Sequence, residues 1–180
     1  YHASATSPEH YGFELATVST GYNDAGIWSD TNPTSSVFTV GGNDQVNGSG
    51  NACIAYLWAG VEGYSKFGGY EGNGNNDGTF VWCGFRPRWV MVKSIDTSGT
   101  YDGWIIHDTA RDTYNGADKD LTANETWVED YGISAVGMDI LSNGFKLRNY
   151  EYVNAANTYI FAAFAEFPFG GDGVSQARAR

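Results

Sequence analysis

The stretch Lys66–Lys93 reads KFGGYEGNGNNDGTFVWCGFRPRWVMVK, 28 residues that crowd together glycine, aromatics and a Phe-Arg-Pro-Arg turn. Two runs in it, TFVWCGF and RWVMVK, are rich in β-branched and aromatic residues, the types that fit a pleated, half-buried surface. The glycines and asparagines between them are turn formers. Pro87 fixes φ and sets a bend just before the second run. GNGNNDG occurs once and lacks the spaced carboxylates of an EF-hand loop, so it reads as a plain turn between strands. Nothing in the stretch resembles a nucleophile, a metal cage or a phosphate loop. It predicts strands joined by turns.

The same texture extends in both directions. SSVFTV, RWVMVKSI, GWIIHDT and GFKLRNY are further short runs bounded by Gly, Asn, Asp and Pro. Glycine accounts for 24 of 180 residues and aromatics for 16%, without a long run of 3.6-residue periodicity, which points to an all-β chain. ACIAYLWAGVE and YIFAAFAEFPF contain helix-favouring alanines, but their length, flanks and Tyr/Ile/Phe content predict strands buried on both faces. A helical turn is compatible with TARDTYNGADKDL. The net charge of −11, with no run of Lys or Arg, argues against a nucleic-acid surface and suits a soluble chain kept apart by self-repulsion. Apolar runs of about ten residues fall short of the roughly 20 that a membrane helix needs, so no membrane insertion is expected. Cys53 and Cys83 lie in apolar runs and read as buried free thiols rather than a disulfide or zinc ligands.

The two alanine-containing runs align with each other. Asn51 pairs with Asn157, Ile54 with Ile160, Trp58 with Phe164 and Ala59 with Ala165, an offset of 106. Upstream, Val46–Asn47 matches Val153–Asn154 and Phe38–Val40 matches Phe145–Leu147 at 107, Glu14–Leu15 matches Asp120–Leu121 at 106, and Tyr1–His2 matches Ile106–His107 at 105. A period of about 106 residues is the size of one β-sandwich. The expected organisation is therefore two tandem antiparallel β-sandwiches of jelly-roll or concanavalin-like type, meeting near Val61–Phe67. Residues 1–63 form an incomplete first repeat and residues 64–180 a complete second one. Trp58 and Phe164 are both expected to be buried. The stretch Tyr64–Trp104 supplies opening strands that have no counterpart in the first repeat. Tyr1–Gly63 is too short to bury a good core alone, so its completion by polypeptide outside this sequence is expected, from an upstream segment or a neighbouring subunit that donates strands.

The residues YLWAGVEGYSKFGGYEGNGNNDGTFVWCGFRPRWVMVKSID, WIIHDTARDTYN, LSNGFKLR, VNAANTYIFAAFAEFPF and the closing ARAR resemble a domain family found in tandem near the C-termini of large structural proteins of tailed bacteriophages, especially marine and cyanobacterial ones. The similarity covers nearly the whole chain. It departs from the pattern in the truncated first repeat, and in Cys53, where the second repeat has Tyr159. The resemblance implies a concanavalin-like sandwich and a non-enzymatic virion structural protein: the C-terminal part of a tail fibre or tail protein, on the exterior of the particle, with host-surface adhesion. Capsid decoration or cement, and a lectin-like glycan-binding module, are the alternatives. Its partners would be other virion proteins, further copies of itself, and a host-surface glycan or protein. No cofactor, metal or catalytic residue comes with the family.

Candidate reactive groups are few. His107-Asp108 with Arg111 has the residue types of an acid–base site. His2 and His107, however, fall at equivalent repeat positions at the end of an apolar run, which reads as structural. No GxSxG signature is present, and the 21 acidic residues are spread without an aromatic-flanked pair of the glycosidase kind. A sugar site would use exposed aromatic faces with Asp or Asn partners. Tyr114, Trp127 and Tyr131, in the polar stretch DTYNGADKDLTANETWVEDYG, are the candidate ligand-binding aromatics.

Overall fold

The computed structural model describes residues 1–18, 20–98, 102–129 and 137–168. The described residues form a mostly β chain with few helical turns and several antiparallel sheets. A five-stranded sheet has the order β3 (Ser65–Glu71), β10 (Thr158–Ala165), β5 (Pro87–Ser94), β6 (Ile105–Asp108), β7 (Leu121–Thr122). A three-stranded sheet has the order β4 (Phe80–Trp82), β9 (Gly144–Leu147), β8 (Met138–Leu141). The opening stretch thus becomes β3, β4 and β5, and its strands alternate between the two sheets.

Alternation along each strand builds one core from both sheets. Val81, Val90, Val92, Ile105, Ile140, Phe145, Leu147, Phe161 and Ala163 point into it and are buried. Phe145 of the short sheet meets Phe161 of the long sheet edge-on at 5.5 Å and Tyr70 at 6.1 Å, so the sheets face each other across these rings. β10 lies between β3 and β5. It pairs with β3 from Thr158↔Glu71 to Phe164↔Ser65, and with β5 from Tyr159↔Ser94 to Phe164↔Trp89. Gly68 lies opposite Phe161, and a Cβ there would come within 2.7 Å of the ring. Only glycine lets the ring lie flat over the neighbouring strand. Pro87 begins β5 opposite Ala165, at a shift in register, where a missing N–H is tolerated. Beside this bend Arg86 pairs with Glu166 at 2.6 Å.

The GNGNNDG segment is a turn, as expected, and Asn154 holds it. The buried Asn154 side chain donates to Asn73 Oδ1 (2.8 Å), the Asn75 carbonyl (2.9 Å) and the Asn149 carbonyl (2.6 Å), and accepts from the Asn73 and Thr79 amides. Asn154 closes a 3-10 turn, Tyr152–Asn154, that leads into β10. In the TARDTYN segment the Arg111 and Asp112 amides both donate to the Asp108 carbonyl, a single helical turn.

Among its described residues, Tyr1–Gly50 carries only a two-residue ladder, β1 (Tyr11–Gly12) with β2 (Tyr22–Asn23), and two one-turn helices, α1 (Ala25–Trp28) and α2 (Asp44–Asn47). It attaches to the long sheet through polar anchors. His2 Nε2 lies 3.2 Å from the Phe161 carbonyl, Trp104 Nε1 donates to the Glu14 carbonyl (3.0 Å), and Lys93 Nζ donates to the Val18 carbonyl (3.2 Å). SSVFTV does not form a strand. The run ACIAYLWAGVE, expected as a doubly buried strand, is irregular and exposed up to the single Val61↔Ser65 bridge. Ile54 is 81% and Trp58 65% exposed, which corrects the expected burial of Trp58. Its counterpart Phe164 is half-buried, in an aromatic cluster with Tyr64, Phe67 and Trp89. β10 has β3 and β5 on either side, whereas Ala52–Gly60 has no strand beside it among the described residues. Both cysteines are free thiols, but Cys53 is exposed with its segment while Cys83 is buried.

Candidate functional site: an aromatic surface on the short sheet

Among the described strands, β4 is the one that exposes large apolar side chains. Alternation turns Val81 into the core and leaves Phe80 (43% exposed) and Trp82 (58% exposed) on the outer face. Trp82 lies opposite Gly144 on β9, where a Cβ would come within 2.1 Å of the Val81 carbonyl. The absent side chain allows the close strand approach and leaves no side chain opposite the indole. Lys66 Nζ sits 5.0 Å from the centre of the Trp82 ring, within cation–π range. Between them runs a groove of about 340 Å³, lined by Glu62, Ser65, Lys66, Phe67, Trp82 and Cys83 among others.

A charged rim flanks this surface. Lys146, opposite Phe80, pairs with Asp77 at 2.8 Å, and Arg148 pairs with Asp139 at 2.5 Å. The hydrogen bond and charge of Lys146, with Arg148 nearby, lower the Asp77 carboxyl below its ordinary range. An aromatic face beside fixed cations and carboxylates is suited to the C–H faces and hydroxyls of a sugar, or to an apolar side chain of a protein.

Two of the three expected site residues lie among the described residues. Tyr114 is 82% exposed. Trp127 is half-buried and packs against the core, which removes most of its face from solvent. Tyr131 lies outside the described residues. Phe80 and Trp82 were legible only as strand residues: which face of a strand is left uncovered depends on what packs on the other one.

The groups with the largest shifts in titration are buried rather than displayed. Burial pushes the Cys83 thiol up to about 12, which leaves it a poor nucleophile at the groove floor. Burial lowers Lys93 to about 8 beneath the Tyr1–Gly50 layer, and lowers His107 to about 4. His107, Asp108 and Arg111 part company: His107 is buried, Asp108 lies 3.6 Å from Arg88, and Arg111 pairs with Glu129 at 2.9 Å. Among the described residues, no group of three or more His, Cys, Asp or Glu is placed to hold a metal ion. Among them also, no helix is long and apolar enough to cross a membrane.

By its folding, this is an all-β chain of antiparallel sheets with an aromatic outer surface. It belongs to a family described as a domain of unknown function (DUF7483), which matches residues 1–168. No curated protein and no solved structure matches it.

Proposed function

We propose that this chain is a non-enzymatic structural module of a tailed-bacteriophage virion, from the C-terminal part of a tail fibre or tail protein, and that it contacts the host surface through Trp82, Phe80 and Lys66. The two sheets are one concanavalin-like β-sandwich in this reading, the second of two tandem repeats. The observation that carries the reading is the aromatic pair on the outer face of β4, with a cation held against it and paired charges around it. The resemblance of the sequence to tandem virion domains supplies the setting. Capsid decoration is the second reading. It draws on the exposed apolar run Ile54–Val61, which suits contact between neighbouring subunits.

The test is binding of the purified chain to host cells and to their isolated surface polysaccharide. Trp82→Ala should weaken binding by about tenfold or more, the equivalent of one aromatic stacking contact. Its melting temperature should stay unchanged, because the indole is largely outside the core. Equal binding by Trp82→Ala, or release of reducing ends from the polysaccharide, would overturn the proposal. Gold-labelled antibody on intact particles separates tail from capsid.

A further inference from the structure

Residues Ala52–Gly60 are uncharged, mostly apolar and unpaired. Among the described residues, no main-chain hydrogen bond reaches them, and only Ser65 Oγ donates to the Ala59 carbonyl. Ile54, Tyr56, Leu57 and Trp58 all stand in solvent. A run of this kind is a pairing hazard unless it has a partner.

The repeat says what that partner is. Ala52–Ala59 aligns without a gap on Thr158–Ala165, which is β10. Along β10, Tyr159, Phe161, Ala163 and Ala165 join the core, while Ile160 is buried on the opposite face. The same positions in the upstream run are Cys53, Ala55, Leu57 and Ala59 on one face, and Ile54 on the other. A strand apolar on both faces is explained by burial on both and by nothing in solvent. The approach to the strand is repeated as well. α2 ends at Asn47, whose Nδ2 donates to the Gly41 carbonyl at 3.0 Å. The 3-10 turn before β10 ends at Asn154, whose Nδ2 donates to the Asn149 carbonyl at 2.6 Å. The chain's own slot between β3 and β5 is already filled by β10.

We propose that Ala52–Ala59 is the closing strand of a preceding copy of this fold in the same polypeptide, and that it inserts between two strands of the β3 and β5 type that precede it. The inference stands on the repeat and does not depend on the virion reading. In the assembled protein Cys53 then takes the core-facing place of Tyr159, and Ile54 lies between the counterparts of Gly69 and Lys93.

The 180-residue chain is compared with the same chain extended upstream by a second copy of residues 64–104, its extra cysteine changed to serine, and with a chain extended by a shuffled version of that segment. Cys53 is the probe: it is exposed here, whereas Cys83 is buried. The unextended and shuffled chains should label rapidly at Cys53 and show unprotected amides over 52–60. The extended chain should label at least about tenfold more slowly and protect those amides. Ile54→Asp should leave the melting temperature of the unextended chain unchanged and abolish protection in the extended one. Three outcomes overturn the proposal: equal Cys53 labelling in extended and shuffled chains, an added segment whose own amides stay unprotected, or protection of Cys53 already in the unextended chain.

Discussion

His107 sits on β6 opposite Val90, fully buried, and neither ring nitrogen has a hydrogen-bond partner among the described residues. Burial is the larger cause of its lowered pKa, about 4, while the charge of Asp112 opposes the shift. The folded chain therefore holds a neutral imidazole at a pH where the unfolded chain has already taken up a proton. Its contribution to stability is complete above the ordinary value of about 6.5 and falls as pH drops towards 4, by on the order of 3 kcal/mol across that window. Urea denaturation at pH 7.5 and pH 4.5 should show this loss, and His107→Leu should remove most of it. An unchanged slope in His107→Leu would assign the acid sensitivity elsewhere. In the sequence reading, His107 is matched with His2 and both are expected to be structural. That one ring would enter the core while the other lies beside the Phe161 carbonyl was not legible there, because the difference depends on the sheet each one packs against.

The strands β4, β5, β6, β9 and β10 were all legible as apolar or alternating runs between turn formers. In each case the residues needed for burial are present on the face that is buried. Ala52–Gly60 has the same chemistry as β10 and no strand, because strand formation takes neighbours as well as propensity. Two substitutions measure the difference. Phe161→Ala removes a core ring in edge contact with Phe145 and should cost about 3–5 kcal/mol. Trp58→Ala removes a side chain 65% exposed and should shift stability by no more than about 0.5 kcal/mol in this chain. Thermal melts of the two variants give the comparison. A large loss for Trp58→Ala would show that its segment is packed in solution.

Over the whole molecule, Tyr1–Gly50 and the sheets are joined covalently only through the exposed run before Val61, yet are held together by separate contacts from His2, Glu14 and Val18. Limited proteolysis should therefore cut first within Ala52–Gly60, where the main chain is exposed and unpaired. The nicked fragments should stay together on a sizing column, since the anchors lie outside the cut. Separation of the fragments on nicking would mean that the connection itself maintains the contact.

The sequence by itself determined the β class, the strands β4, β5, β6, β9 and β10 and the turn at GNGNNDG, because each is written in local composition. Only the tertiary structure decided that Lys66–Lys93 feeds both sheets, that Tyr1–Gly50 lies against the long sheet, that Trp127 packs on the core, and that Phe80 and Trp82 face outward over Gly144. Alternation along a strand fixes which residues share a face. Which face meets water is fixed by the element that covers the other, and that element is brought there from elsewhere in the chain.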